Sequence, residues 1–142
     1  LHCSLKDNLI LSLLIGRAGE FLTAYHLELF GHSPRIVGGE DFDIIAIDKK
    51  NLIRVQVKTR DQVEPKRKTY TYTCVKSGQR LSLKNADIFA LVCLPLEKII
   101  FKVAEDIRKT KTIRIPPEDF LLQTNLESWQ MCLGRISHNE LE

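Results

Sequence analysis

The chain opens on a helical pattern. Ile10, Leu14, Ala18, Phe21, Tyr25 and Leu29 recur every three or four positions and form one strip. Ser4 or Asp7 can cap the start and Gly31 closes the end, so a helix is expected from about Asn8 to Phe30.

The period then drops from 3.6 to 2. Arg35-Ile36-Val37 reads as a short strand stopped by Gly38-Gly39. Asp43 to Asp48 and Leu52 to Lys58 read as strands, and the polar turn Asp48-Lys49-Lys50-Asn51 makes them a hairpin. The charged, proline-containing run Thr59 to Lys68 reads as a mobile loop. Tyr70 to Val75 alternates as a strand. Ile88 to Leu94 and Ile99 to Val103 are two more, separated by Pro95, and Thr112 to Ile115 is another. Pro116-Pro117 then starts a short helical tail containing Phe120 and Trp129. This order predicts an α/β chain with a mixed sheet flanked by helices. A length of 142 residues fits one domain, with a core over about 8–115 and a C-terminal extension over about 116–142.

Composition narrows the partners only a little. A net charge of +3 permits a polyanionic partner without requiring one. The four cysteines are scattered, with no CxxC pair and no histidine at ligand spacing, which argues against a zinc site or disulfide framework. Reduced thiols and a cytoplasmic setting are the expectation. Leu9 to Ile15 is too short to cross a membrane, and its helical pattern runs on through Arg17 and Glu20. The sequence contains neither GxSxG nor a glycine-rich loop ending in GK[ST], so serine hydrolases and P-loop enzymes are excluded. His26 and His32 read as helix-surface and turn residues.

The hairpin carries the candidate chemistry. Residues two apart on a strand share a face, so Gln56 and Lys58 lie together with Arg54, while Ile53, Val55 and Val57 share the other side. Asp43 stands at the entrance of the partner strand, after Gly38-Gly39-Glu40. A carboxylate, an amide oxygen and an ammonium can therefore converge. That set suits Mg²⁺-assisted phosphodiester hydrolysis, in which the metal activates water and a lysine stabilises developing negative charge. Glu20 is a fourth candidate, in line on the helix with Leu9, Leu13, Ala24 and Leu27. A carboxylate among leucines is costly unless paired or metal-bound. Gly16 and Gly19 beside it would let another backbone or a ligand come close. The alternatives are a structural ion pair of Glu20 with Arg17 or Lys58, and Asp41 as ligand in place of Asp43.

A basic loop adjoins the set. Arg60, Lys66, Arg67 and Lys68, followed by Tyr70 and Tyr72, suit phosphate contacts interleaved with aromatic rings. With Arg17 and Arg54 they are the candidate nucleic-acid contacts. The bland alternative is a solvated loop, helped by Asp61 and Glu64. Lys76, Arg80, Lys84 and the run Arg108-Lys109-Thr110-Lys111 would extend the footprint or are plain surface.

Three segments carry a resemblance: Gly16-Arg17-Ala18-Gly19-Glu20, Phe42-Asp43-Ile44-Ile45, and Arg54-Val55-Gln56-Val57-Lys58-Thr59. Together they resemble the small PD-(D/E)XK endonucleases associated with group I introns. More distantly they are similar to Holliday-junction resolvases and restriction enzymes. The resemblance implies a restriction-endonuclease-like core and cleavage of DNA with Mg²⁺ (or Mn²⁺). It also implies assembly into dimers or tetramers, with Glu20, Asp43 and Gln56 on the metal and Lys58 beside it. Phe42 stands where the family name has proline, and Gln56 where most members have Glu or Asp. A lapsed nuclease fold that binds nucleic acid or protein without cutting is the alternative.

Overall fold

The computed structural model describes residues 5–38, 42–76, 79–80, 86–107 and 110–140. Helix α1 (Leu5–Leu29) leads into strand β1 (Arg35–Ile36) and the hairpin β2 (Ile44–Asp48) and β3 (Asn51–Arg60). Short strands β4 (Tyr70–Thr73), β5 (Val75–Lys76) and β6 (Gln79–Arg80) follow. The chain continues through β7 (Ile88–Cys93), β8 (Lys98–Val103), α2 (Ala104–Ile107) and β9 (Thr112–Ile115). A 3₁₀ turn (Pro117–Leu121) and α3 (Asn125–Glu140) end it.

Five strands form the main sheet in the order β1-β2-β3-β7-β8. The expected hairpin is present, with Asp48 opposite Asn51 and Lys49 in the left-handed region at φ 56°. β3 pairs in parallel with β7, and β7 antiparallel with β8, so the sheet is mixed. All six residues of β7 are buried, which explains its unbroken apolar run. One face packs Ile44, Val55, Val57, Ala90 and Phe101 against Leu27 of α1 and Trp129 of α3. The other carries Leu91 and Cys93 beneath the β4–β9 ribbon, with Tyr70, Tyr72, Ile115 and Phe120.

Chain ends of helices are set by local chemistry. At the end of α1, Gly31 at φ 88° closes a Schellman motif, with Gly31 N–H donating to Glu28 O (3.0 Å) and His32 N–H to Leu27 O (3.0 Å). At the start of α3, Thr124 Oγ1 accepts from Glu127 N–H (3.0 Å), and Glu127 Oε1 accepts from Thr124 N–H (3.4 Å). This is a capping box. The segment after residue 115 belongs to the same packing: Trp129 is fully buried, 5.0 Å from the Phe101 ring centroid.

Three expectations are corrected. The strip from Ile10 to Leu29 is not buried; Leu14, Phe21, Tyr25 and Leu29 are all more than half exposed. The helix instead buries the roughly opposite side, through Gly19, Thr23 and Leu27. Small residues let α1 settle against β3, which the wider apolar strip could not do. Nor do residues 59–68 form a loose loop. β3 runs on to Arg60, and the turn beyond it is closed by Lys68 N–H to Glu64 O and Glu64 N–H to Thr69 O (2.8 Å each). Strand β4 ends at Thr73, and the next two residues after Cys74 pair with β6 instead. Among the described residues, no helix is long and apolar enough to cross a membrane.

Candidate active site

The site grows from the point where β2 and β3 part. Asp43 stands one residue before β2. Its N–H donates to Val55 O (2.9 Å), while its own carbonyl accepts from Val37 N–H (2.8 Å) and Gly38 N–H (3.4 Å). The ladder's last pair is Ile44 with Val55, so the N–H of Val57 has lost its strand partner. Asp43 Oδ2 takes that bond at 2.8 Å. The carboxylate is thereby fixed, buried, against the backbone between Gln56 and Lys58.

Helix α1 delivers the second carboxylate. Gly19 rests directly on β3, where an added Cβ would meet Thr59 Oγ1 at 1.7 Å. The helix cannot ride higher without opening this contact, so Glu20, the next residue, is held over the head of β2. Thr23 Oγ1 donates to Gly19 O (2.8 Å), bracing the same turn. Gly16, in contrast, has open space where a Cβ would stand. Thr59 Oγ1 is buried and has no hydrogen-bond partner among the described residues.

Glu20 and Asp43 meet. Burial, then the charge of Asp43 and a hydrogen bond with it, push the Glu20 carboxyl up to about 7, against a smaller opposing effect of Arg17. Asp43 is also raised by burial, opposed by the Val57 N–H, Glu20 and the Lys58 ammonium. Two carboxyls this close hold one proton between them more readily than two negative charges. Gln56 and Lys58 are half-buried on the face they share with Phe89 and Leu91. Lys58 is near enough to act electrostatically on both Asp43 and Cys74.

Neither a protein-family model nor a curated protein sequence matches the chain. Among solved structures it is similar to a bacterial homing endonuclease, I-Ssp6803I, with a TM-score of 0.68. The similarity covers 99% of this chain and 100% of that one, at 16% sequence identity. The chain shares the fold of that structure, a mixed sheet flanked by helices.

The candidate nucleic-acid contacts scatter. Arg60 continues the Gln56–Lys58 face and is exposed at the end of β3. Lys66, Arg67 and Lys68 are exposed on the turn beyond, with Arg67 4.0 Å from Glu64. Arg17 is exposed on α1, one turn before Phe21, its guanidinium carbon 5.9 Å from that ring's centroid. Two others have structural positions. Arg54 forks onto Asp87, with Nε 3.3 Å from Oδ2 and a second nitrogen 3.2 Å from Oδ1. Asp87 Oδ2 also accepts from Arg54 N–H (2.8 Å), latching β3 to the start of β7. Tyr70 is buried and meets Phe120 edge-on at 5.7 Å, so its ring belongs to the core under the ribbon. Tyr72 is likewise buried, its hydroxyl donating to Val92 O (2.8 Å). Asp41, the alternative ligand, lies outside the described residues, as do Glu40, Lys84, Arg108 and Lys109.

The residues missed in sequence are Thr59, which seats Gly19, and the group Phe21, Ile36 and Val37, which forms a cleft with Arg17, Glu20 and Gly38. The only advance signal for the first was a glycine inside a helix, where alanine is favoured by about 1 kcal/mol. The second had none, because Phe21 read as part of an ordinary apolar strip.

Proposed function

We propose that the chain is a metal-dependent DNA endonuclease of the PD-(D/E)XK kind, with Glu20, Asp43, Gln56 and Lys58 as its catalytic set. One observation carries the reading: two carboxyls from separate elements are close enough to hold one proton, with Lys58 acting on Asp43. A structural ion pair would match Glu20 to a cation. Here its nearest influences are burial and a second acid, an arrangement that is unfavourable until a cation or proton enters.

The donor set fits Mg²⁺, with Mn²⁺ as a substitute. Two carboxylates and the Gln56 amide offer hard oxygen ligands, and Mg²⁺ needs few because it keeps several waters. Among the described residues, no three His, Cys, Asp or Glu gather, here or elsewhere, so the third oxygen of this set is the Gln56 amide. When bound, the metal supplies a water of lowered pKa and positive charge beside the phosphate. The chain's own work is positional and electrostatic. The Val57 N–H fixes Asp43, the Gly19–Thr59 contact sets Glu20, and Lys58 presents its Nζ to the charge that grows on the phosphoryl oxygens. Arg60 and the turn Lys66-Arg67-Lys68 hold flanking phosphates.

The neighbouring structure is that of a bacterial homing endonuclease, which supports DNA as the substrate. Self-association belongs to the same reading. Residues 7–14 of α1 are exposed throughout, with Leu9 at 68% and Leu13 at 70%, an apolar surface suited to a second copy of the chain. Light scattering of Leu9→Asp/Leu13→Asp should then show a smaller particle than the parent.

The test of the reaction is incubation with supercoiled, branched and single-stranded DNA in Mg²⁺ or Mn²⁺, beside Lys58→Ala. Cleavage that falls by about a hundredfold or more in the variant is expected; cleavage left unchanged overturns the assignment. Gln56 favours a second reading, a fold that binds DNA without cutting, because it leaves the metal with one charge fewer than most relatives provide. Calorimetry with Mn²⁺ separates the two: a cutting site binds the ion and loses it on Asp43→Ala.

A further inference from the structure

Beside the two carboxylates lies a cleft of about 410 Å³, lined by Arg17, Glu20 and Phe21 of α1 and by Ile36, Val37 and Gly38 on the other side. We propose that it seats one unpaired nucleotide of the DNA, its base against the Phe21 ring and its phosphate on Arg17. This rests on the endonuclease reading and adds a substrate feature to it.

Position comes first. Glu20 is shared between the cleft and the carboxylate pair. The opposite wall is tied to the same pair, since the N–H groups of Val37 and Gly38 hold the carbonyl of Asp43. Whatever fills the cleft is therefore adjacent to the candidate cleavage point. Its size falls in the range of small-ligand pockets, ample for one nucleotide.

Its surface selects the occupant. Phe21 is 58% exposed, Val37 47% and Ile36 39%, so the chain leaves both apolar walls uncovered. A paired base offers a protein only its edge, whereas an unpaired base offers two flat faces. A cleft lined by an aromatic ring and by aliphatic side chains suits the second. The charge agrees: Arg17 lines the same cleft, its guanidinium carbon 5.9 Å from the Phe21 ring centroid, and offers a cation to the phosphate of a nucleotide seated there. A free nucleobase without phosphate would leave Arg17 unused, and a plain hydrocarbon would leave Arg17 and Glu20 both unused.

Drawing a base out of a duplex costs stacking and pairing, least where the base is already unpaired. DNA with a single unpaired nucleotide should therefore bind more tightly than the same duplex fully paired. Stacking on an aromatic side chain is worth enough that losing the ring weakens binding about tenfold.

The experiment compares the full chain with Phe21→Ala and Phe21→Tyr, in Ca²⁺, by fluorescence anisotropy. The probes are a duplex with one unpaired 2-aminopurine, the paired duplex, and 2-aminopurine emission as a stacking signal. Phe21 is exposed, so its loss leaves the fold in place. The expected result is an about tenfold loss by Phe21→Ala on the unpaired probe alone, with the emission change abolished, and recovery of both in Phe21→Tyr. Equal binding of the unpaired probe by parent and Phe21→Ala, with DNA binding otherwise intact, overturns this proposal alone. Absence of salt-sensitive binding to either DNA overturns it together with the endonuclease reading.

Discussion

Gly19 sits against Thr59 so closely that a methyl group at position 19 would stand 1.7 Å from the Thr59 hydroxyl oxygen and 2.8 Å from its Cβ. Helix propensity favours Gly19→Ala by about 1 kcal/mol. Overpacking opposes it by about 1–3 kcal/mol, because Thr59 is branched and anchored on a central strand. The clash should win. Gly19→Ala is expected to lower the urea midpoint and, by lifting Glu20 from Asp43, to weaken Mn²⁺ binding. Adding Thr59→Ala removes the closest atom and should recover part of both losses. A single variant as stable as the parent would show that α1 is free to slide.

The shared proton makes a pH prediction. Glu20 is raised to about 7 and Asp43 is raised as well, so below that pH the folded, metal-free chain holds more protons than the unfolded chain. Stability therefore falls as pH rises from the ordinary carboxylate range through about 7. A bound divalent ion reverses this by favouring both carboxylates, so Mn²⁺ affinity should climb over the same interval. Glu20→Gln should flatten the metal-free dependence and leave the variant more stable than the parent at pH 8. Thermal melts at pH 5 and 8, with and without Mn²⁺, provide the check. A parent equally stable at both values would show that the two acids do not interact.

Gln56 invites the reverse change. Gln56→Glu places a third carboxylate beside Asp43, adding attraction for a cation and repulsion in its absence. Tighter Mn²⁺ binding by about tenfold, a gain of about 1.4 kcal/mol, is expected together with a less stable metal-free fold. Calorimetry reads the first and denaturation the second. If affinity stays level, position 56 does not face the metal.

The free edge of β8 supplies a control remote from the carboxylates. Asn125 Oδ1 accepts from Ile99 N–H (2.9 Å) and Ser128 Oγ accepts from Phe101 N–H (3.2 Å). Side chains of α3 thus occupy edge groups that another strand could otherwise pair with. Ser128→Ala strands a buried N–H and should cost about 1–3 kcal/mol in urea denaturation while leaving DNA cleavage unchanged. Loss of cleavage with full stability would mean that α3 has a direct part in the reaction.

How much of this was readable in the sequence follows from the range of each interaction. The hairpin, the mixed sheet and the strand that becomes β7 were legible because period, turn and length all act locally. The α1 strip misled for a physical reason: Leu14, Phe21 and Leu29 have the right spacing but stand on the side away from the sheet, where size is no obstacle. The buried side needed smallness at Gly19, which periodicity does not register. Asp43, Gln56 and Lys58 could be placed on one hairpin by alternation alone. Glu20 was a candidate from its place among leucines and from the family resemblance, but the helix-to-sheet contact that brings it to Asp43 is not written in any local pattern. Arg54 and Tyr70 looked like ligands of DNA because their partners, Asp87 and Phe120, are 33 and 50 positions away and cannot be paired by inspection.

Arg54, set beside Lys66 and Arg67, separates affinity from architecture. Each Lys or Arg that neutralises a phosphate adds about 0.9 to the slope of log affinity against log salt. Lys66→Ala and Arg67→Ala should each lower that slope by about one and leave stability within about 0.5 kcal/mol of the parent. Arg54→Ala should do the opposite. It removes a forked, half-exposed contact to Asp87 and should lower the urea midpoint by an amount equivalent to about 1 kcal/mol, with the salt slope unmoved. Measuring DNA affinity over a salt series beside denaturation decides the matter. A slope that falls in Arg54→Ala would place this guanidinium on the phosphate backbone after all, with Asp87 as its resting partner in the absence of DNA.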